Sequence, residues 1–307
     1  MKTEQYLLNG LDGTSIPVTL WMPDGSGRMI LQIVHGMTEY IGRYEELAEE
    51  LTAQNIIVAG FDLRGHGKNK GNATCASLGE NGWEQSLNEI HLLNNDLSRQ
   101  FPDLPVVMMG FSLGSFLLRD YLSCSKDPVA AAIIMGTGTQ PSGILSILKK
   151  IVKSQIKKSG FNETTPLVRK LSFETYNAKF KPNQSSLDWL CSDRKEMEKY
   201  SIDPLCQKDI SSGLFWQLLD GMQRTGKKDV YDNWKKEFPV LLISGQDDPV
   251  GNFGKGVCTV ASKMKKSGLT NVKTVLISNG RHDILHEHSN GGSKKTIEEI
   301  KLFLKLA

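Results

Sequence analysis

Short apolar runs alternate with stretches of helical periodicity along most of the chain. Residues 28–34 (RMILQIV), 55–61 (NIIVAGF), 105–110 (PVVMMG) and 130–135 (AAAIIM) are apolar almost throughout, as expected of strands buried on both faces. Residues 44–54 and 83–100 carry apolar positions at helical spacing, and 116–123 reads as a helix directly after the third run. The pattern resumes near the end, with strands at 239–244 and 272–277 and helices at 253–266 and 294–307. Residues 3–9 and 15–22 form a predicted hairpin, with Asn9-Gly10 and Asp12-Gly13 as turn signals between them. Strand–helix alternation of this kind predicts an α/β fold with a mostly parallel sheet, flanked by helices on both faces.

The middle breaks the pattern. Residues 137–233 show helical periodicity and no clear buried strand, so the expected division is a core of 1–136 plus 234–307 and an inserted, mainly helical cap of 137–233. Within the insertion, Ile144, Leu148, Ile151 and Val152 fall at helical spacing, and Leu145, Ile147 and Ile156 broaden the stripe. Lys149, Lys150, Lys153, Lys157 and Lys158 crowd the other side. Two readings fit: a cap helix burying its apolar face under solvated lysines, or a lid helix that docks transiently on an anionic membrane or micelle surface. Phe161, Phe173, Tyr176, Phe180, Trp189, Phe215 and Trp216 add aromatic bulk, which suits packing first and an apolar substrate second.

Composition narrows the classes. A chain of 307 residues can bury one large α/β domain or a core with an insertion. A net charge of only +3 argues against nucleic acid as the main partner, since little basic excess is available to release counterions. The five cysteines (75, 124, 191, 206 and 258) are odd in number and lack CxxC spacing, which argues against a disulfide framework or a zinc site. Free thiols, an N-terminus without a secretory apolar core and the lack of a long uncharged apolar run lead to the expectation of a cytoplasmic protein.

The chemistry concentrates at Gly110-Phe111-Ser112-Leu113-Gly114, which follows a buried strand and opens a helix. That is the context of a nucleophile elbow, where the turn is tight enough to exclude bulk two residues either side of the serine. A serine hydroxyl needs an adjacent base to act as a nucleophile. Of six histidines, His282 lies just after the strand VKTVLIS, at the sheet edge where the serine also sits. His286 and His288 are nearby rivals read as a solvated loop or helix start, and His91 as a helix-surface or packing residue. The orienting acid should follow an earlier strand, where Asp247 and Asp248 compete; the order serine, aspartate, histidine is the one this fold uses. His35-Gly36-Met37 follows the strand RMILQIV, which nominates the backbone N–H groups of Met37 and Leu113 as an oxyanion hole. Asp62-Leu63-Arg64-Gly65-His66-Gly67 reads as a structural network bracing the surrounding loops.

HGMTEYIGRYEELAEEL, DLRGHGKNKG, GFSLGS, DWLCSDRKEMEKYSIDPLC, GQDDPVGNFGKGV and GRHDILHE together resemble the monoacylglycerol lipase and lysophospholipase branch of the α/β-hydrolases, a branch that includes proteins filed as serine aminopeptidases. The matching stretches run from about residue 31 to 290. The resemblance implies an α/β-hydrolase fold with Ser112 as nucleophile, Asp248 as acid (through the spacing Gly-x-x-Asp-Pro-Val) and His282 as base, with Met37 and Leu113 as oxyanion amides. Departures from the branch are Tyr40 where histidine is frequent, Asn69 where a serine usually follows GHG, and His286 where asparagine is frequent. Tyr40 is the one expected to line the pocket.

These readings converge on a serine carboxylic ester hydrolase that works through an acyl-enzyme, takes a single-chain acyl ester and needs no metal or organic cofactor. A peptidase or amidase with the same three residues is the alternative within enzymes; a binding protein that kept the fold is the alternative outside them. A haloalkane dehalogenase is disfavoured, because that chemistry needs a carboxylate at position 112.

Overall fold

The structure, a computed structural model, describes residues 1–306. Eight strands make one sheet: β1 (Lys2–Asn9), β2 (Ser15–Met22), β3 (Met29–Val34), β4 (Ile56–Phe61), β5 (Val106–Phe111), β6 (Ala131–Met135), β7 (Val240–Gly245) and β8 (Val272–Ile277). Their order across the sheet is β1-β2-β4-β3-β5-β6-β7-β8. The β1–β2 hairpin and the β2–β4 pair are antiparallel, and every other neighbour is parallel. This is the α/β-hydrolase architecture that the resemblance implies.

Because side chains alternate across a strand, the central strands feed both faces of the sheet. In β5, Val106 and Met108 join the core beneath α2 (Gly82–Gln100), α3 (Leu113–Cys124) and α9 (Lys255–Lys266). Val107, Met109 and Phe111 join the opposite core, under α1 (Glu45–Thr52) and α10 (Gly292–Leu306). The starts of α3 and α9 move for local reasons. α3 begins at Leu113, because the Ser112 carbonyl already accepts from the Ser115 and Phe116 N–H groups. α9 begins at Lys255 and not 253, because Asn252 and Phe253 hold positive φ values of 49° and 54°, which no right-handed helix includes.

Between β6 and β7 lie α4 (Ser142–Ser159), α5 (Pro166–Arg169), α6 (Thr175–Asn177), α7 (Arg194–Ile202) and α8 (Ser212–Thr225). No strand occurs in this stretch among the described residues; a single bridge pairs Ile210 with Ala76. α8 packs into the main core through Leu214, Leu218 and Leu219. α4 divides its apolar stripe. Leu145 and Val152 are buried, while Ile144, Ile147 and Ile151 are 50%, 62% and 37% exposed. Among the described residues no helix is long and apolar enough to cross a membrane.

Candidate active site

The strand β5 runs into Ser112, whose φ of 51° and ψ of −116° lie outside the regions a serine ordinarily occupies. The bend is possible because both flanking glycines lack a Cβ. One on Gly114 would strike the Val34 and His35 carbonyl oxygens, and one on Gly110 the Gly114 carbonyl. Ser112 is therefore held at the carboxyl edge of the sheet at the start of α3. Strain of this kind persists only where the surroundings enforce it, and it concentrates at functional sites.

Its hydroxyl is 2.8 Å from His282 Nε2, and His282 Nδ1 is 2.9 Å from Asp248 Oδ2. A carboxylate only accepts, so Nδ1 carries the hydrogen and Nε2 is free to accept from the serine. Asp248 is fully buried and also takes the Ser244 hydroxyl at 3.0 Å and the Val250 N–H at 2.8 Å, which fixes both its oxygens. Asp247 is only half-buried, and its own N–H bonds to the Gly280 carbonyl. Of the two aspartates, then, Asp248 meets the histidine. Such a chain of contacts can move a proton from hydroxyl to imidazole while a carboxylate steadies the resulting charge.

Two peptide planes flank the serine. His35 Nε2 accepts the Leu63 N–H at 2.9 Å, so its Nδ1–H donates to the Gly36 carbonyl at 2.6 Å. A trans peptide points its N–H opposite its C=O, so this bond aims the Met37 N–H away from His35. The Ser112 carbonyl is likewise turned into α3 by the Ser115 N–H and hydroxyl, which leaves the Leu113 N–H pointing out of the helix start. Behind Met37, Glu39 accepts from the Gly36 N–H (2.7 Å), the Tyr44 hydroxyl (2.8 Å) and Arg43 Nε (3.2 Å).

A cavity of about 580 Å³ opens above Ser112 and His282, lined on its apolar side by Phe111, Phe173, Leu187, Trp189 and Leu190. Met37, Thr38 and Gln207 line it as well. Of the seven aromatic residues singled out between β6 and β7, Phe173 and Trp189 reach this cavity. Phe180 instead lies under the Arg281 guanidinium, and Phe215 packs in the main core.

Two expectations are corrected. Tyr40 does not line the cavity; its hydroxyl bonds Asp203 at 2.9 Å, and its ring lines a separate groove with Asp62 and Lys68. His286 is not a solvated loop residue: it bonds Asp283 at 2.8 Å, and Asp283 also takes Arg43 Nη2 at 2.7 Å. Burial opposes charge on Asp283, yet His286 and Arg43 hold its carboxyl well below the usual carboxylate range. Burial likewise opposes charge on His286, yet Asp283 carries it above the ordinary histidine value. The other readings match their surroundings. His288 is exposed, and His91 lies on the surface beside Asp127. Asp62 accepts from the Ile41 and Lys68 N–H groups and so ties two loops together.

Residues that sequence reasoning missed lie mainly between β6 and β7. Residues 188–193 are stitched to the loop carrying His282. The Asp188 carbonyl takes Arg281, the Leu190 carbonyl takes the Asp283 N–H at 2.7 Å, Ser192 donates to Glu287, and Asp193 takes the Ser289 N–H at 3.0 Å. On the other side of the serine, Tyr200 donates to Thr38 Oγ1 at 2.7 Å.

Comparison with known proteins agrees with this geometry in fold. A family described as serine aminopeptidase, S33, matches residues 25–289. The monoglyceride lipases of Rattus norvegicus and Homo sapiens are each 24% identical over 300 residues, covering 97% of this chain and 89% of theirs. A thermostable carboxyl esterase from Bacillus coagulans, solved in complex with glycerol, superposes with a TM-score of 0.84 at 22% identity, covering 99% of both chains.

Proposed function

The chain belongs to the serine aminopeptidase, S33, family, and from that premise we propose that it is a serine hydrolase acting on single-chain acyl esters of the monoacylglycerol or lysophospholipid kind. The observation that carries the reading is the unbroken line from Ser112 Oγ through His282 to Asp248, at the floor of a largely apolar cavity. Curated relatives named monoglyceride lipases add the substrate class.

In this reading His282 takes the Ser112 proton as Oγ attacks the ester carbonyl carbon. The tetrahedral oxyanion is held by the Met37 and Leu113 N–H groups, which the His35 bond and the α3 start orient in advance. His282 then gives its proton to the leaving alcohol oxygen, and the acyl group stays on Ser112. Water enters, loses a proton to His282 and attacks the acyl-enzyme; Ser112 regains its proton as the acid departs. Asp248 steadies the imidazolium and never takes the proton. Phe173, Leu187 and Leu190 hold the acyl chain.

Residues 137–233 form the cap in this proposal. The exposed Ile144, Ile147 and Ile151, with exposed Lys150, Lys153, Lys157 and Lys158 around them, suit contact with an anionic lipid surface from which the substrate is drawn.

The family's name keeps a peptidase reading alive, and one comparison separates the two. Ester hydrolysis is expected with p-nitrophenyl acyl esters and not with aminoacyl-anilides, and only when Ser112 is intact. Turnover of the anilides in preference to the esters would replace this reading with the peptidase.

A further inference from the structure

Both nitrogens of His282 are occupied in the plane of the ring, by Ser112 and Asp248. What packs on its faces is left to govern how firmly it is held and how readily it carries charge. Phe111, from the end of β5, lies with its ring centre 4.9 Å away at 37°. Trp189, from the insertion, stacks on the same imidazole at 5.3 Å and 30°. These separations fall in the range of offset aromatic contact.

Trp189 is itself clamped. Phe173 stacks on it at 5.7 Å and 21°, Tyr176 lies at 5.5 Å, and its main-chain N–H donates to Asn177 Oδ1 at 3.0 Å. Its neighbours in the chain grip the neighbours of His282: Asp188 holds Arg281, and Leu190 holds Asp283. The ring and the imidazole are therefore fixed against each other from both sides in sequence. The indole N–H, in contrast, is buried without an acceptor among the described residues. A phenyl ring would fill a stack without that unpaired donor. The indole offers instead the most electron-rich face among the aromatic side chains, the one that best attracts a cation.

We propose that Trp189 is a positioning residue for His282: its face holds the imidazole in line with Ser112 and favours the imidazolium that forms as the serine proton transfers. The inserted segment thereby completes the base, and the chemistry requires residues 188–193 to be docked. This rests on the proposed ester hydrolase reading, because it assigns the imidazolium to the turnover of Ser112.

The test separates ring shape from ring charge. Biosynthetic replacement of tryptophan by mono-, di- and trifluorotryptophan drains the indole face stepwise while leaving its outline nearly unchanged. With a soluble p-nitrophenyl ester, kcat should fall progressively along the series, by about 3- to 30-fold in total. In a Trp189→Phe background, which retains a face but carries no fluorinated ring at that position, the same series should leave kcat level. Trp189→Leu should lower kcat more than Trp189→Phe does. A kcat indifferent to fluorination in the protein that keeps Trp189 overturns the proposal, and so does an equal decline in both backgrounds. If unfluorinated protein shows no Ser112-dependent turnover, the ester hydrolase reading has failed first; turnover that ignores fluorination removes this inference alone.

Discussion

At the scale of single residues, the site depends on a few atoms whose partners are specific. Asp247 and Asp248 are adjacent and chemically identical, yet one turn of loop geometry gives Asp248 the imidazole and sends Asp247 toward Gly280. Asp248→Asn should lower kcat by roughly 10⁴, because an amide cannot hold the same tautomer, while Asp247→Asn should stay within a few-fold; parallel ester kinetics on the two variants check this. His66 makes a prediction about pH. Burial, and then repulsion from His35, push its pKa down to about 3 from 6.5. The unfolded chain thus binds a proton near pH 6.5 that the folded chain refuses, so the contribution is complete above 6.5 and is lost as pH falls toward 3. His286 has the opposite sign: with its pKa raised, its contribution is complete below 6.5 and is lost as pH climbs through the folded value. Urea midpoints measured between pH 7 and 5 should fall less steeply for His66→Gln than for the wild type, and an unchanged slope would contradict the assignment. That Ser112, His282 and Asp248 meet follows from positions just after strands β5, β8 and β7, each inside a short local pattern. The roles of His286 and Trp189 were not legible, because they come from partners far away in sequence that no periodicity announces.

At the scale of elements, nearly every strand and helix of the sheet layers was legible from apolar runs and spacing, and the residual errors sat at helix starts. The start of α9 shifts because of two positive φ values that nothing in Asn252-Phe253 declares. The helices between β6 and β7 follow from the spacing of apolar residues, but the two different attachments of that segment do not. Residues 188–193 are bonded to the loop carrying His282, whereas α4 buries only one side of its stripe, chiefly against α8. The periodicity of α4 could not divide seven apolar positions between a packed side and an open one, since that depends on where α8 lies. Replacing Ile144, Ile147 and Ile151 together by serine should reduce turnover of monoacylglycerol presented in anionic vesicles by on the order of tenfold, through lost apolar burial at the interface. Hydrolysis of a short soluble ester should change less than twofold. Equal rates on vesicles for variant and parent would remove the surface role and leave α4 as a packing helix.

At the scale of the whole molecule, one buried side chain ties the parts together. Arg119 lies on α3, two turns beyond Ser112, and is fully buried. Its guanidinium donates to Thr137 Oγ1 (3.2 Å) and the Gly138 carbonyl (3.1 Å) where the chain leaves β6. It also donates to the Thr225 carbonyl (2.8 Å) and the Tyr231 hydroxyl (2.7 Å) where the chain returns. Both ends of the segment between β6 and β7 are thereby fixed to the helix that begins at the serine. An arginine within the apolar stretch FLLRDYL was the available signal, but its partners lie up to 112 residues away. Arg119→Met should cost about 2–4 kcal/mol in urea unfolding, as expected when several buried acceptors lose their donor together, and a loss below about 0.5 kcal/mol would contradict the role. All of this arrangement serves one claim, that Ser112 is activated where β5 meets α3. The most direct test is intact-mass measurement after treatment with a fluorophosphonate probe. The folded wild type should gain a single adduct mapped to Ser112, and both Ser112→Ala and His282→Ala should stay unmodified. A folded wild-type protein that gains no adduct, or one that Ser112→Ala gains equally, would contradict the account.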